Sequence, residues 1–315
     1  MERASAHKLI HIHLTVSSNS VAYAKYVINN YIGLASRKQD LSFHAYCLDG
    51  RSAKKMLADP QVERVVTIEK DGGSMGHAKA IEAAIGNFHF GCVNVISDTD
   101  VCILRQSWDS VLLEELCGTN GVGVFATQYE GIGGFSSGNV LRQQYKNKPS
   151  ATWMAVSPNC DLSKLSALPD KGTNIYIGNP DLSELYQLPM GYYLEKDVGW
   201  QVPAYLEENG ISYRVLDIVK PSEENAIALR GCGDYHDEFQ WGGEPFLAHQ
   251  RGSMKHRFKI DPLSAGFYNA CERHMGDCEW FIEPDRSDRL AACFQDVFRN
   301  LIWPLKWMKR RILRK

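Results

Sequence analysis

Two carboxylates one residue apart, in Asp98-Thr99-Asp100, are the side chains of this sequence whose types and spacing point most directly to chemistry. In an extended chain the side chains at i and i+2 face the same way, so this pair can converge on one hard cation. Magnesium or manganese held by one or two carboxylates completes its shell with water and phosphate oxygens. Aspartates that follow a strand also make turns and cap helices, and the tripeptide alone leaves both readings open.

Other chemistry-bearing residues lie elsewhere in the chain. Lys79 stands three residues after Gly76 on a predicted helix, where a helix N-terminus and a cation would both favour phosphate; a solvated surface lysine is the alternative. His77 is expected to be ordinary helix surface or an outer neighbour of the site. His249, Arg251, Ser253 and Lys255 place an imidazole, two cations and a hydroxyl around Gly252, a set suited to closing over a diphosphate. Asp197, with Glu195 in reserve, stands at the start of a predicted helix over 198–209, where it would accept a proton or cap the helix. Trp241, beside Gly242-Gly243, is expected to offer an exposed ring to a sugar face. His11 and His13 share one face of a strand and could imitate a metal pair; a packed or hydrogen-bonded strand is expected instead.

These residues need a frame. Leu9 to Val16 alternates apolar and polar residues and breaks at Ser17-Ser18-Asn19-Ser20, predicting a strand, a loop and a helix N-cap. A helix to about Arg37 follows. Then come a strand over 41–48 ending in Asp49-Gly50, a short helix over 53–58, a strand over 62–68, a glycine turn and a helix over 75–85. The strand Cys92 to Ser97 leads into Asp98. Strands alternating with helices predict an α/β fold with a mostly parallel sheet, which binds ligands at the carboxyl ends of its strands. Further strands are expected over 121–127 and near 152–156. The chain divides into an alternating first half (1–130), an irregular second half (131–260), and a helical C-terminal extension (261–315).

The sequence has 315 residues, 35 basic and 37 acidic, and 44% hydrophobic residues. That balance makes no electrostatic case for a nucleic-acid partner. The nine cysteines are scattered, without paired zinc spacing, which fits a reduced, cytoplasmic setting. No leader or membrane-spanning run is expected. The ending, from Trp303 to Lys315, sets tryptophans beside a cationic cluster suited to peripheral contact with an anionic membrane; a terminal helix packed on its own domain is the alternative.

The order of a strand, an Asn-containing loop, a strand ending in Asp-Gly, a Gly-x-Ala-x-Ala helix and a strand ending in Asp-x-Asp resembles the GT-A-fold nucleotide-sugar glycosyltransferases, especially the large inverting family numbered two. Glu195-Lys196-Asp197-Val198-Gly199-Trp200 and His249 to Lys255 agree with it. The resemblance implies that Thr15, Ser17, Asn19 and Asp49 contact the nucleoside, and that Asp98 and Asp100 carry a Mn²⁺ or Mg²⁺ ion on the donor diphosphate. It also implies that 1–130 form the nucleotide-sugar-binding half and 131–260 the acceptor-binding and catalytic half, that Asp197 or Glu195 deprotonates the acceptor, and that His249 completes the metal shell.

The function expected is a metal-dependent, inverting glycosyltransferase that moves a sugar from a uridine-type nucleotide diphosphate donor to a glycan or lipid-linked acceptor. A nucleotidyltransferase and a non-catalytic glycan- or nucleotide-binding module are the alternatives. The first loop, Thr15 to Ser20, has neither the glycine nor the cation that a nucleotidyltransferase usually carries there.

Overall fold

The computed structural model describes residues 9–284, apart from 69–72, 129–146, 168–169, 177, 187–189, 191–192, 197, 234–235 and 252–256. Its first half follows the predicted alternation: β1 (Ile10–Val16), α1 (Val21–Leu34), β2 (Leu41–Cys47), α2 (Gly50–Leu57), β3 (Val62–Thr67), α3 (Gly73–Ile85) and β4 (Val93–Ser97). β1, β2 and β4 are buried almost throughout, as strands covered on both faces must be. β3 is partly exposed along its length. The three strands β2, β1 and β4 run parallel, with β3 parallel to β2 at one edge.

Beyond β4 the chain turns at Asp98-Thr99-Asp100 into β5 (Val101–Ile103), then α4 (Trp108–Cys117), β6 (Val124–Gln128), β7 (Pro149–Val156) and β8 (Asp170–Tyr176). There follow α5 (Pro180–Tyr186), β9 (Tyr193–Lys196), α6 (Val202–Glu208), β10 (Tyr213–Val219), β11 (Asp237–Trp241), β12 (Glu244–His249) and α7 (Pro262–Met275). Ten strands form one sheet in the order β3-β2-β1-β4-β7-β6-β10-β11-β12-β5, and β8 pairs with β9 in a small second sheet. Parallel pairing is confined to β3-β2-β1-β4 and to β6 with β10; the other neighbours are antiparallel. The short hairpin turn between β11 and β12 leaves no room for the crossover that parallel strands require. Strands from the expected nucleotide and acceptor halves thus share one sheet.

The helix predicted over 198–209 begins only at Val202, with Gln201 in the cap position. Pro203 explains the late start, because proline is tolerated in the first helical turn and breaks a helix further in. Gly199 precedes it with φ 75°, a left-handed backbone suited to glycine. Asp197 therefore precedes the helix instead of opening it, and lies outside the described residues, as do Ser253, Lys255 and the basic C-terminal segment.

The far edge of the sheet needs a cover, since an edge strand leaves backbone groups unpaired. Asn30, fully buried on α1, supplies it to β5: its Nδ2 donates to Ile103 O (2.9 Å) and its Oδ1 accepts from Ile103 N (2.7 Å). Replacing Asn30 with alanine strips both groups of their partner. At about 1 to 3 kcal/mol per buried unsatisfied group, Asn30→Ala is expected to lower the unfolding free energy by about 2 to 4 kcal/mol in urea titrations. Among the described residues no helix is long and apolar enough to cross a membrane.

Candidate metal and nucleotide site

The carboxyl ends of β1, β2 and β4 lie at one end of the sheet, and the candidate site is built there. The backbone that leads into it is fixed by a buried chain of hydrogen bonds. Trp153 Nε1 donates to Tyr31 Oη (2.8 Å), Tyr31 Oη donates to Ser97 Oγ (2.9 Å), and Ser97 Oγ donates to the Asp98 carbonyl (2.9 Å). Asp98 N–H bonds to Thr152 O at 2.9 Å. Burial pushes the Tyr31 hydroxyl above its ordinary range, so it remains a protonated donor.

Asp98 and Asp100 converge through a turn and not through the extended chain that their spacing suggested. The turn redirects the chain from the centre of the sheet to its far edge, where β5 pairs antiparallel with β12. In that pair Val101 stands opposite His249, and Gln250 N–H donates to Asp100 O at 3.0 Å. His249 Nε2 is thereby brought 3.5 Å from Asp100 Oδ1. One ligand atom from each of Asp98, Asp100 and His249 lies within 4.8 Å of the other two. Asp100 and His249 are largely buried, while Asp98 keeps 21% of its side-chain surface. Two carboxylates and one imidazole, partly open to solvent, suit Mn²⁺, which accepts a nitrogen ligand more readily than Mg²⁺ does.

Two features were missed or undervalued from sequence. His77, on α3, puts Nε2 2.8 Å from Asp98 Oδ1, so of its two expected places, ordinary helix surface or an outer neighbour of the site, it takes the second. Asp237, fully buried at the start of β11 and opposite His249, is ion-paired with both Lys220 and Arg251. The pairing spans 17 and 14 residues of sequence and leaves no local pattern to find. It ties Arg251, one of the cations expected to face diphosphate, to the strand next to the cation ligand.

On the first loop, Thr15, Ser17 and Asn19 range from half-buried to exposed, and Ser17 N–H is held by Ser20 Oγ at 2.8 Å. Asp49 caps α2: Oδ1 accepts from Arg51 N (3.0 Å) and Ser52 N (2.8 Å), and Oδ2 accepts from Ser18 N (2.8 Å) across to the first loop. Partial burial alone would raise its pKa, but the N–H groups of Ser52, Ser18 and Arg51 and the Ser52 hydroxyl outweigh it and hold the carboxyl below its ordinary value. A carboxyl whose folded pKa is depressed stabilises the fold above the unfolded value and loses that contribution as pH falls through the folded one. Asp49→Ala is therefore expected to be less stable by about 1 kcal/mol at neutral pH. The gap should close below about pH 4 when unfolding is followed across pH.

Gly76 is buried and Lys79 exposed on α3. Trp241 does not form the exposed platform expected of it. Its ring packs edge-on against Phe125 at 4.9 Å, and Nε1 donates to Glu115 Oε1 at 3.1 Å. It also sits at the turn end of the β11–β12 hairpin, away from Asp237 and His249. Glu195 lies on β9 of the small sheet.

No protein-family model matches the sequence, and no curated protein matches it. Solved structures do. A mannosyltransferase from Pyrobaculum calidifontis, in complex with GDP-Man and Mn²⁺, matches at 13% identity and TM-score 0.34, over 49% of this chain and 45% of its own. The galactosyltransferase LgtC, with donor and acceptor sugar analogues, matches at 14% and 0.38, over 65% and 73%. The glucosyl-3-phosphoglycerate synthase of Mycobacterium tuberculosis, with Mn²⁺ and UDP, matches at 16% and 0.34, over 48% and 57%. The chain thus spans less than half of the first of these and just over half of the last. Similarity at this level assigns the chain no activity.

Proposed function

We propose that this chain is a metal-dependent glycosyltransferase. It moves a sugar from a nucleotide diphosphate donor, a uridine one, to a hydroxyl of a glycan or lipid-linked acceptor, with inversion at the anomeric carbon. The observation that carries the proposal is the meeting of Asp98, Asp100 and His249, from segments far apart in sequence, at the carboxyl end of the parallel strands β1, β2 and β4. This is where such sheets take nucleotides.

Sugar transfer leaves negative charge on the departing diphosphate and requires a proton acceptor near the incoming hydroxyl. Asp98, Asp100 and His249 would hold a Mn²⁺ or Mg²⁺ ion, which would supply Lewis-acid stabilisation to that leaving group. The chain's own residues do the rest. Thr15, Ser17 and Asn19 line the nucleoside end. Asp49, which holds their loop in place through Ser18 N–H, contacts the nucleoside from the start of α2. Gly76 lies buried in the first turns of α3 at the nucleotide end, and the exposed Lys79 on the same helix adds positive charge toward phosphate. Arg251, oriented by Asp237, faces the diphosphate together with Ser253 and Lys255. Asp197 takes the acceptor proton, with Glu195 as the alternative base. The basic aromatic segment 303–315 is the part of the chain suited to a membrane that presents a lipid-linked acceptor.

Thermal denaturation with UDP, UDP-sugars and nucleoside triphosphates, each with and without Mn²⁺, tests the proposal. A UDP-sugar at a hundred times its Kd is expected to stabilise the fold by about 2.7 kcal/mol, with most of the gain requiring the ion. Release of UDP in the presence of acceptors completes the assignment. Preference for a triphosphate with release of pyrophosphate would instead mean nucleotidyl transfer, and binding with no turnover would mean a recognition module.

A further inference from the structure

Two imidazoles reach the carboxylates of the candidate metal site, and they stand in different relations to it. His249 Nε2 lies 3.5 Å from Asp100 Oδ1 and is itself one of the candidate ligands. His77 Nε2 lies 2.8 Å from Asp98 Oδ1 and is not among them. The imidazoles of β1 are committed elsewhere, as expected of a hydrogen-bonded strand: His11 Nδ1 meets His44 Nε2 at 3.0 Å, and His13 meets Tyr46 Oη and Asn94 Oδ1, both at 3.2 Å.

The contact at Asp98 fixes the tautomer of His77. A bare ring nitrogen 2.8 Å from a carboxylate oxygen would set two lone pairs against each other, so Nε2 carries a proton and the contact is attractive. Both ends of it are anchored. α3 is wedged between two parts of the core, with Ala78, Ile81 and Ile85 packed in the one that holds Ile96 of β4, and Ala80 and Ala84 packed in the one that holds Tyr46 of β2. On the other side, Ser97 Oγ donates to the Asp98 carbonyl at 2.9 Å and Thr152 O accepts Asp98 N–H at 2.9 Å. What remains free to turn in Asp98 is its carboxylate, which is partly exposed, and His77 is the group that meets it.

We infer that His77 is a positioning residue that keeps Asp98 a one-oxygen ligand and thereby selects a small, six-coordinate cation over Ca²⁺. The inference rests on the proposed metal site. With Oδ1 committed to His77, Asp98 has one oxygen left to offer. One oxygen from Asp98, joined by Asp100 and His249, leaves an octahedral ion such as Mn²⁺ or Mg²⁺ places for diphosphate oxygens and water. Ca²⁺ takes roughly six to eight oxygens at longer distances and readily uses both oxygens of one carboxylate. Removing the imidazole frees Asp98 to turn and to bind through both oxygens, which costs Mn²⁺ and suits Ca²⁺. A neighbour that orients a metal ligand in this way is worth about 10- to 100-fold in metal affinity.

Calorimetric titration of Mn²⁺, and separately of Ca²⁺, into the full-length protein with UDP tests this in wild type, His77→Ala and His77→Gln. His77→Ala is expected to bind Mn²⁺ about tenfold more weakly and Ca²⁺ no more weakly than wild type, so the preference for Mn²⁺ falls about tenfold. His77→Gln puts an amide N–H near the place of the ring N–H and should retain most of the preference. A preference unchanged in His77→Ala would overturn the inference. So would one lost equally in His77→Gln, which would make the imidazole itself a ligand. Both of those results leave the metal site standing, whereas a wild type that binds neither ion with UDP overturns the site and this inference with it.

Discussion

Alanine at Asp98 or Asp100 is expected to abolish measurable sugar transfer, by about 10³-fold or more, while the protein still folds. The size follows from the several kcal/mol that a metal ion contributes to stabilising charge on a leaving phosphate, at about 1.36 kcal/mol per tenfold in rate. The fold should survive because Asp98 is partly exposed and its backbone is held by Thr152, Ser97 and Tyr31 through groups that the substitution leaves intact. Both variants should also lose the Mn²⁺-dependent part of nucleotide binding in calorimetric titrations. If either one transfers sugar at the wild-type rate, the metal assignment is wrong.

Asp237→Ala should produce the largest loss of stability of any single substitution considered. The carboxylate is completely buried and holds Lys220 and Arg251, themselves 15% and 19% exposed. Removing it leaves two partly buried cations without their shared counter-charge, and breaking a buried pair in this way costs about 3 to 5 kcal/mol. Asp237→Asn keeps the shape and loses the charge, so it separates packing from electrostatics. Chemical denaturation should rank wild type above Asn above Ala. In the Asn variant, whose fold is better preserved, weakened binding of diphosphate would report on Arg251 in particular.

Much of the first half was legible because β1, β2 and β4 are apolar runs broken by polar or glycine-rich turns, and the helices between them fit the crossover spacing. The strands over 124–128 and 149–156 were legible too, but those after them were not, for a physical reason. β11 buries Asp237, Glu238 and Gln240, and each is satisfied by a distant group: Lys220 and Arg251 for Asp237, the backbone N–H groups of Ile227 and Leu229 for Glu238, the carbonyl of Asn225 for Gln240. A strand whose interior is made of paired polar groups shows no hydrophobic alternation. The same blindness made Trp241 look like a free ring, because its partners Phe125 and Glu115 come from elements more than a hundred residues earlier. The gathering of Asp98, Asp100 and His249 was anticipated by residue type and resemblance, but the turn that achieves it depends on the pairing of β5 with β12, about 150 residues apart, which leaves no local pattern. Asp197 lies outside the described residues, and its catalytic role rests on the proposal alone.

The pairing of β5 with β12 also orders events during synthesis. Asp98 and Asp100 leave the ribosome long before His249, and the short strand that follows them has no neighbour to zip against until the hairpin of β11 and β12 has emerged. A nascent chain bearing only the nucleotide-facing strands therefore presents two carboxylates on an unfinished rim, and the three-ligand cradle exists only once the later hairpin has docked. On the proposed metal assignment, the ion is captured only late in maturation, and a chain cut before that hairpin does not hold it.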